Sequence, residues 1–402
     1  MSHIGRSWRI APLGGFLAVA VAIPGVAAVS PHAASPTSAA EYARQWNLKA
    51  IHAEEAWAKG KLGSPRVAVA VLDTGIDTEH PDLDGRVDLD RSVSFLSRAA
   101  DCRPGQPGAP SSAAEDATAN DRDVPLVTDF HGHGTAVSGL ISSNGVVLAG
   151  VSQRTRLFGV KVHDRSRSNC IGVYLDGIRF AADAGADIIH LSFPLEFTRA
   201  QFPAVFDDVV ARVDMTMAYA HRKGAILVAA AGNAAQDLDG NPDRFRFCKA
   251  THVVCVSATG PADPAVVSAP AWDEPAAYSN FGLQSIDVAG PGGTGTFPTQ
   301  IVPVWLACPR HTLAPEGTAP AECRKDGGRE IWASTGTTFG AAATSGLLAL
   351  LVDEIGKNRP DQVVDALFAS ADDPEQMGVV GHPRYYGHGR INVAKAVGAT
   401  TP

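Results

Sequence analysis

Short apolar runs alternate with longer stretches of helical periodicity along most of the chain. In the short runs both odd and even positions are apolar, which is typical of strands buried on both faces of a parallel sheet. The predicted strands are residues 67–72, 157–162, 187–193, 225–231, 253–256 and 286–289. The predicted helices are residues 133–143, 171–184, 207–222 and 337–354.

This alternation of strand and helix predicts the fold class. Strands that are each followed by a helix favour a doubly wound, mostly parallel α/β sheet with helices on both faces, which makes a three-layer sandwich. One domain, residues 43–399, accounts for the pattern. Residues 97–129 and 303–330 are rich in proline and small or polar residues, so we expect surface insertions there, a long loop at the first and a cysteine-stapled loop at the second.

The N-terminal residues have the pattern of an export signal. Arg6 and Arg9 precede an apolar run at 13–23, and small residues follow at 26–28. This predicts a signal peptide at 1–28 and a linker at 29–42, hence a secreted or extracytoplasmic protein without a membrane anchor in its mature form. A retained anchor is the alternative, although the apolar run is short for a bilayer.

Composition narrows the classes of partner. The chain has 402 residues, 45% of them hydrophobic, and a formal net charge of −8. No stripe of Lys or Arg is present to neutralise phosphates, which argues against a nucleic-acid partner.

Six cysteines lie in the part of the chain that would be exported, where disulfides are chemically stable. Proximity along the chain favours Cys248–Cys255 and Cys308–Cys323, and leaves Cys102–Cys170. Reduced core thiols are the alternative. The spacing does not suggest zinc.

Two motifs carry a carboxylate and an imidazole. Asp73 ends a predicted strand, and ligands gather outside the carboxyl ends of strands in open α/β sheets. A carboxylate there can orient an imidazole. His133 lies between two glycines at a predicted helix start, which favours a general base over a polar cap, and a metal site with His131 would lack a third ligand motif.

Two further motifs carry an amide and a hydroxyl. Asn233 leaves a predicted strand, where it is either a turn residue or a donor to a developing oxyanion. Thr338 follows Gly336 and Thr337 at the start of an alanine-rich helix, where its hydroxyl would face the positive end of the helix dipole.

These four motifs, in the order Asp, His, Asn and hydroxyl, resemble the subtilisin-like serine peptidases. Further matching segments cover nearly the whole of residues 45–397. The resemblance implies catalytic roles for Asp73, His133 and Asn233. It places Thr338 where the family has its nucleophilic serine.

The resemblance also implies a substrate-binding edge and identifies departures from the family. Ser192, Phe193 and Gly232 match the positions that bind an extended peptide, but Pro194 removes one backbone N–H there. The proline expected four residues after the nucleophile is Ala342. Ser345 lies too far along the helix to replace Thr338.

Calcium is common in the resembling family but is not required by the chemistry. Asp82 and Asn144 occupy positions that could ligate a structural calcium ion, and an ordinary solvated turn is the alternative.

The sequence therefore leaves two functions open. The first is a secreted, monomeric endopeptidase that hydrolyses protein or peptide substrates through an acyl-enzyme, with Thr338 as nucleophile. The second is a catalytically impaired pseudopeptidase that binds peptides or proteins in the same cleft. An α/β-hydrolase esterase is disfavoured, because the chain has no Gly-x-Ser-x-Gly motif.

Overall fold

A computed structural model describes most of the chain beyond the predicted signal peptide. The described residues are 35–96, 114–164, 170–191, 193, 196–261, 272–295, 302–311, 324–326, 329–375, 377 and 383–398. They belong to one structural unit. The predicted signal peptide, Cys102 and Cys323 lie outside the described residues.

The α-helices and β-strands of the described residues begin at residue 46. The helices are α1 Trp46–Ala50, α2 Ala53–Ala58, α3 Ala114–Asp121, α4 His133–Ser142, α5 Ile171–Asp183, α6 Phe206–Arg222, α7 Thr337–Ile355, α8 Pro360–Ser370 and α9 Val393–Ala396. The strands are β1 Ala68–Asp73, β2 Val93–Ser94, β3 Arg156–Lys161, β4 Ile188–Leu191, β5 Glu196–Thr198, β6 Ile226–Ala230, β7 Arg244–Arg246, β8 Val253–Gly260, β9 Glu274–Pro275, β10 Val288–Pro291, β11 Val304–Ala307, β12 Arg324–Asp326 and β13 Arg329–Ser334.

The main sheet confirms the predicted fold class. Its strands lie in the order β10-β8-β6-β4-β1-β3-β2 and pair in parallel, and β9 adds an antiparallel pair to β8. All six predicted strands and all four predicted helices are present, with ends shifted by at most a few residues.

The alternation of side chains along β1 explains the three layers. Val69 and Val71 join one buried cluster with residues of α4 and α7. Ala70 and Leu72 join a second cluster with residues of α5 and α6. Both sides of the strand are therefore covered by helices, as its continuous apolar run predicts.

The predicted insertions contain regular structure. Helix α3 lies within residues 97–129, where we expected a loop, although residues 97–113 are outside the described part. The second insertion, also expected to be a loop, contributes β11 and β12 to a three-stranded antiparallel sheet in the order β11-β13-β12. The apolar residues of β11 give this pairing a buried side, since Val304 and Leu306 are buried.

The start of the fold reaches into the stretch that we expected to be a linker. Two short 3₁₀ helices, Pro36–Ser38 and Tyr42–Arg44, precede α1. Tyr42 is buried, and the Glu41 N–H donates to Val147 O at 2.8 Å. The residues just before 43 thus pack on the domain.

Helix α7 is the central helix of the larger cluster. Among the described residues it alone is long and apolar enough to cross a membrane, and 83% of its most apolar window is buried inside the fold. This burial is the pattern of a core helix.

Candidate active site

An aspartate and a histidine meet at the carboxyl end of β1. His133 Nδ1 lies 2.8 Å from both Asp73 Oδ1 and Asp73 Oδ2, and both side chains are buried. Since a carboxylate only accepts hydrogen bonds, it holds the proton on Nδ1 and leaves a lone pair on Nε2. The approach requires glycine at 134, because a Cβ there would collide with Gly75 O.

A second buried carboxylate, which the sequence analysis missed, holds the start of α4. Asp129 Oδ1 accepts from the N–H groups of His131 and Gly132 and from Thr74 Oγ1, at 2.8–2.9 Å. Asp129 Oδ2 accepts from the N–H and Oγ1 of Thr135 at 2.9 and 2.8 Å. Asp129 thus satisfies orphan amides of the helix start on either side of His133. An aspartate four residues before the helix was the available signal.

The amide of Asn233 is oriented by the first residue of α7. Asn233 Oδ1 accepts from Thr337 N at 2.9 Å and from Thr337 Oγ1 at 2.8 Å, although the neighbouring Gly232 N–H also donates to that hydroxyl at 3.0 Å. Because Thr337 holds Oδ1, the orientation of the amide is fixed, and the Nδ2 group of this exposed residue can donate on the other side. Nδ2 lies 3.3 Å from where a Cβ at Gly336 would be, beside the start of α7.

Thr338 lies in the first turn of α7. Its residue is 6% exposed, and α7 packs directly against α4, the helix that begins with His133. The hydroxyl-bearing residue and the imidazole therefore belong to the starts of two neighbouring helices. Close contact with β10 fixes α7, because a Cβ at Gly340 would lie 2.9 Å from Gly290 O.

Ser345 does not face the cleft. It is fully buried on α7, and its Oγ lies 2.9 Å from Nδ1 of His190 in β4. His190 is itself fully buried, its Nε2 has no hydrogen-bond partner, and burial lowers its pKa to about 3. It is therefore a neutral imidazole. The charge of Asp73 acts against this lowering of its pKa, and that of His133 adds to it. A histidine inside an apolar strand was the only sequence signal for it.

Of the residues predicted to bind substrate, the structure describes Phe193 and Gly232, while Ser192 and the neighbouring Pro194 lie outside the described residues. The ring of Phe193 is buried and stacks on Tyr174 with centroids 4.5 Å apart. His163 and Phe247 contact the same ring edge-on. Phe193 is therefore held within a buried cluster of aromatic rings.

The residues proposed for calcium already have protein partners. Asp82 Oδ1 accepts from Val147 N at 2.7 Å and Oδ2 from Leu148 N at 3.0 Å, while Asn144 Oδ1 accepts from the Arg86 guanidinium. These donors point positive groups at the oxygens that a cation would need. Burial also raises the pKa of Asp82. No group of three His, Cys, Asp or Glu that could hold a metal was found among the residues described, and calcium at Asp82 and Asn144 stays a prediction.

The second insertion borders the base side of the site. Arg310 donates from its backbone N–H to Asp77 Oδ2 at 2.8 Å, and its guanidinium pairs with Glu79. Asp77 lies four residues beyond Asp73. The insertion is thus anchored beside the loop that follows β1.

One predicted disulfide is confirmed. Cys248 and Cys255 are bonded to each other. Cys170 and Cys308 each take part in a disulfide as well. Because Cys102 and Cys323 lie outside the described residues, the pairings Cys102–Cys170 and Cys308–Cys323 stay predictions.

The parallel sheet, the order of its strands and the Asp–His pair at its carboxyl edge define a protein of the subtilisin-like α/β fold. The model of the subtilase family, peptidase S8, matches residues 64–389. The chain belongs to the subtilase family of serine proteases.

Relatives and solved structures agree with this assignment. A thermophilic serine proteinase of Bacillus sp. (strain AK1) is 28% identical over 88% of this chain and 67% of its own length. Thermitase of Thermoactinomyces vulgaris is 25% identical over 64% of this chain and 74% of its own. The epidermin leader peptide processing serine protease of Staphylococcus aureus has the same fold, with a TM-score of 0.67, 21% identity and coverage of 91% and 82% of the two chains.

Proposed function

We propose that this subtilase is a secreted endopeptidase in which Thr338 serves as the nucleophile. In the proposed reaction His133 Nε2 takes the proton of Thr338 Oγ1 as that oxygen attacks a peptide carbonyl. The tetrahedral intermediate then collapses to an ester on Thr338 as its C–N bond breaks, and His133 gives the proton to the departing amine. Water, activated by His133, hydrolyses the ester and regenerates the hydroxyl.

The observation that carries the proposal is the contact between His133 Nδ1 and both oxygens of Asp73, at 2.8 Å. This contact fixes the tautomer that a general base needs and favours the imidazolium formed during attack. A binding module gains nothing from this arrangement, because burying the ionisable pair of Asp73 and His133 costs desolvation free energy.

The orientation of Asn233 supports the same chemistry. Thr337 occupies Oδ1, so Nδ2 is the group available to a developing oxyanion. Such a donor contributes when it is held in place before reaction, since no reorganisation is then needed. The first turn of α7 adds its positive dipole end near Thr338.

The pseudopeptidase remains the second candidate because of Thr338 itself. Its β-methyl restricts χ1 and adds bulk to an oxygen that has to move between the base and the substrate. In this alternative Phe193 and Gly232 would still line a cleft for an extended peptide or protein.

Secretion and domain organisation complete the proposal. We expect removal of residues 1–28, which leaves a monomeric peptidase domain at 43–399 with the packed residues 36–42 in front of it. This domain would act on protein or peptide substrates without a required cofactor. Intact-mass analysis of the protein exported by its native host tests this. Retention of residues 1–28, or six free thiols, would contradict it.

The activity is tested with the purified mature protein and an unfolded protein substrate. We expect hydrolysis by the wild type and none above background by the His133→Ala variant. A wild type that is no faster than His133→Ala, with both proteins folded, would contradict the endopeptidase and favour the pseudopeptidase.

A further inference from the structure

A buried arginine flanks the glycine that precedes Asn233. Arg246 is the last residue of β7 and is 9% exposed. Its Nη1 lies 2.7 Å from where a Cβ at Gly232 would be, and Asn280 Nδ2 lies 2.5 Å from the same point, so the guanidinium is one of two polar groups beside this glycine. The φ of +102° at residue 232 favours glycine, and the absence of a side chain leaves room for the guanidinium beside it.

The charges around Arg246 do not balance. Glu196 pairs with Arg246 through Nη2 and with Arg244 through Nη1 at 3.2 Å. The other shared acceptor is the neutral amide oxygen of Gln236, 3.2 Å from Arg246 Nη2 and 2.5 Å from Arg244 Nη1. Two guanidinium groups thus share one carboxylate, and the cluster carries one excess positive charge.

Arg246 also keeps hydrogen-bonding capacity unused. Its Nε is buried without a partner, and its Nη1 donates to no described residue. Burial lowers the pKa of the Arg246 guanidinium despite the opposing effect of Glu196. A second carboxylate brought to this arginine would therefore offset a desolvation cost that the folded protein already bears.

The location of Arg246 relates it to the bond that would be cleaved. Gly232 is hydrogen-bonded through its N–H to Thr337 Oγ1 at 3.0 Å, and it is followed by Asn233. A carbonyl attacked by Thr338 and bound by Asn233 Nδ2 has to lie beside this segment. Because Arg246 Nη1 lies on the flank of Gly232, a substrate side chain that leaves on this flank would meet the guanidinium.

We propose that Arg246 determines specificity, and that the substrate residue on the N-terminal side of the cleaved bond is acidic, glutamate above all. The inference rests on the proposed peptidase function. In it Arg246 binds the substrate carboxylate through Nη1 while Glu196 and Gln236 hold Nη2 and so orient the planar group.

The test uses peptides that differ only at the residue before the cleaved bond, with Glu, Gln, Ala, Leu or Lys there. For the wild type we expect kcat/KM for Glu to exceed that for isosteric Gln by about 10- to 100-fold, because the bond to the charged group is lost. The preference should weaken as salt is added. Equal rates for Glu and Gln, or fastest cleavage after Ala or Leu, would overturn the inference.

Variants separate Arg246 from general charge effects. Arg246→Gln should bring the Glu-to-Gln ratio close to one, whereas its rate after Ala or Leu should stay within several-fold of wild type. Arg246→Lys keeps the positive charge but lacks the planar, two-donor geometry of the guanidinium, and should retain part of the preference. Arg199→Gln removes a partly exposed arginine near β5 that pairs with Asp207 and Asp243, and should leave the ratio unchanged. An Arg246→Gln protein that folds normally and keeps the preference would contradict the assignment.

A binding measurement distinguishes failure of this inference from failure of the peptidase proposal. If the wild type cleaves none of the peptides, the peptidase proposal fails. Fluorescence anisotropy of labelled peptides that end in Glu or Gln, mimicking the first product, then tests the cleft alone. We expect tighter binding of the Glu peptide, lost in Arg246→Gln, and equal binding of the two peptides would overturn the specificity claim by itself.

Discussion

The two sides of the cleft are held in different ways. On the base side, between β1 and α4, His133 is fixed by both oxygens of Asp73, and five donors from four residues converge on Asp129. On the nucleophile side, between β6 and α7, the groups that hold the segment are neutral. Asn233 Oδ1 accepts from the N–H and hydroxyl of Thr337, Gly232 N–H donates to that hydroxyl, and Gly232 O accepts from the N–H of Asn280.

This difference separates two requirements of the proposed chemistry. The base side combines buried charges, so its geometry must be maintained by many hydrogen bonds or the charges become costly. The nucleophile side uses neutral groups at a helix start, where a hydroxyl can change from serine to threonine without leaving a buried charge unpaired. The proposed departure from the family, Thr338 in place of a serine nucleophile, would therefore fall on the side where it leaves no buried charge unpaired.

The largest effect on activity is expected on the base side. Asp73→Asn should lower kcat by about 10⁴-fold, because an amide no longer fixes the tautomer of His133. Initial rates of peptide hydrolysis measure this, with the exposed Glu79→Gln as control. A loss of less than about tenfold would show that the pair does not act as base and orienting group.

On the nucleophile side the loss should be smaller. Asn233→Leu should reduce kcat by about 10²- to 10³-fold, since one oxyanion donor disappears while the base stays in place. Thr337→Val, which removes only the hydroxyl that orients Asn233, should cost less than Asn233→Leu. If Thr337→Val costs more, the amide is not what Thr337 serves.

On the base side we also expect a large effect on stability, since Asp129 is a buried carboxylate with several donors. Asp129→Asn should lower the free energy of unfolding by about 2–4 kcal/mol, because several N–H and O–H donors lose a charged acceptor in the core. Urea denaturation measures this. Glu79→Gln should stay within about 0.5 kcal/mol of wild type, and an Asp129→Asn change equally small would contradict a structural role for Asp129.

His190 links the two sides, and its effect should be the smallest and depend on pH. Its folded-state pKa of about 3 is below the ordinary unfolded value of about 6.5, so the unfolded chain binds an extra proton in between, and stability falls as pH drops below about 6.5. Asp287, with its pKa raised by burial to about 6, contributes with the opposite sign.

Comparing wild type with His190→Asn isolates the histidine, since Asp287 is common to both. Between pH 7 and pH 5 the variant should lose about 1–2 kcal/mol less stability than the wild type. Unfolding curves at the two pH values measure the difference. Identical pH dependence in both proteins would mean that His190 does not stay neutral in the folded state.

Local pattern was sufficient for much of this architecture. Continuous apolar runs predicted the strands of the main sheet. The places of Asp73 and Asn233 at or just after such strands predicted them as site residues. His190 and Arg246 escaped prediction because their roles come from contacts between distant segments. His190 and Ser345, for example, are 155 residues apart in sequence. The pairing of β11 with β13 is likewise non-local, so the sequence predicted a loop for the second insertion. Asp129 was missed although four of its five donors lie within six residues of it.

The central claim is that Thr338 acts as the nucleophile of an intact catalytic site. Its most direct test is a comparison of initial hydrolysis rates for wild type, Thr338→Ser and Thr338→Ala on one unfolded protein substrate, with unfolding curves to confirm that all three are folded. We predict measurable hydrolysis by the wild type, none above background by Thr338→Ala, and a rate for Thr338→Ser at least equal to the wild type and about tenfold higher if the methyl hinders attack, which is about 1.4 kcal/mol of barrier. A wild type that is indistinguishable from Thr338→Ala, with no gain in Thr338→Ser, would contradict the claim.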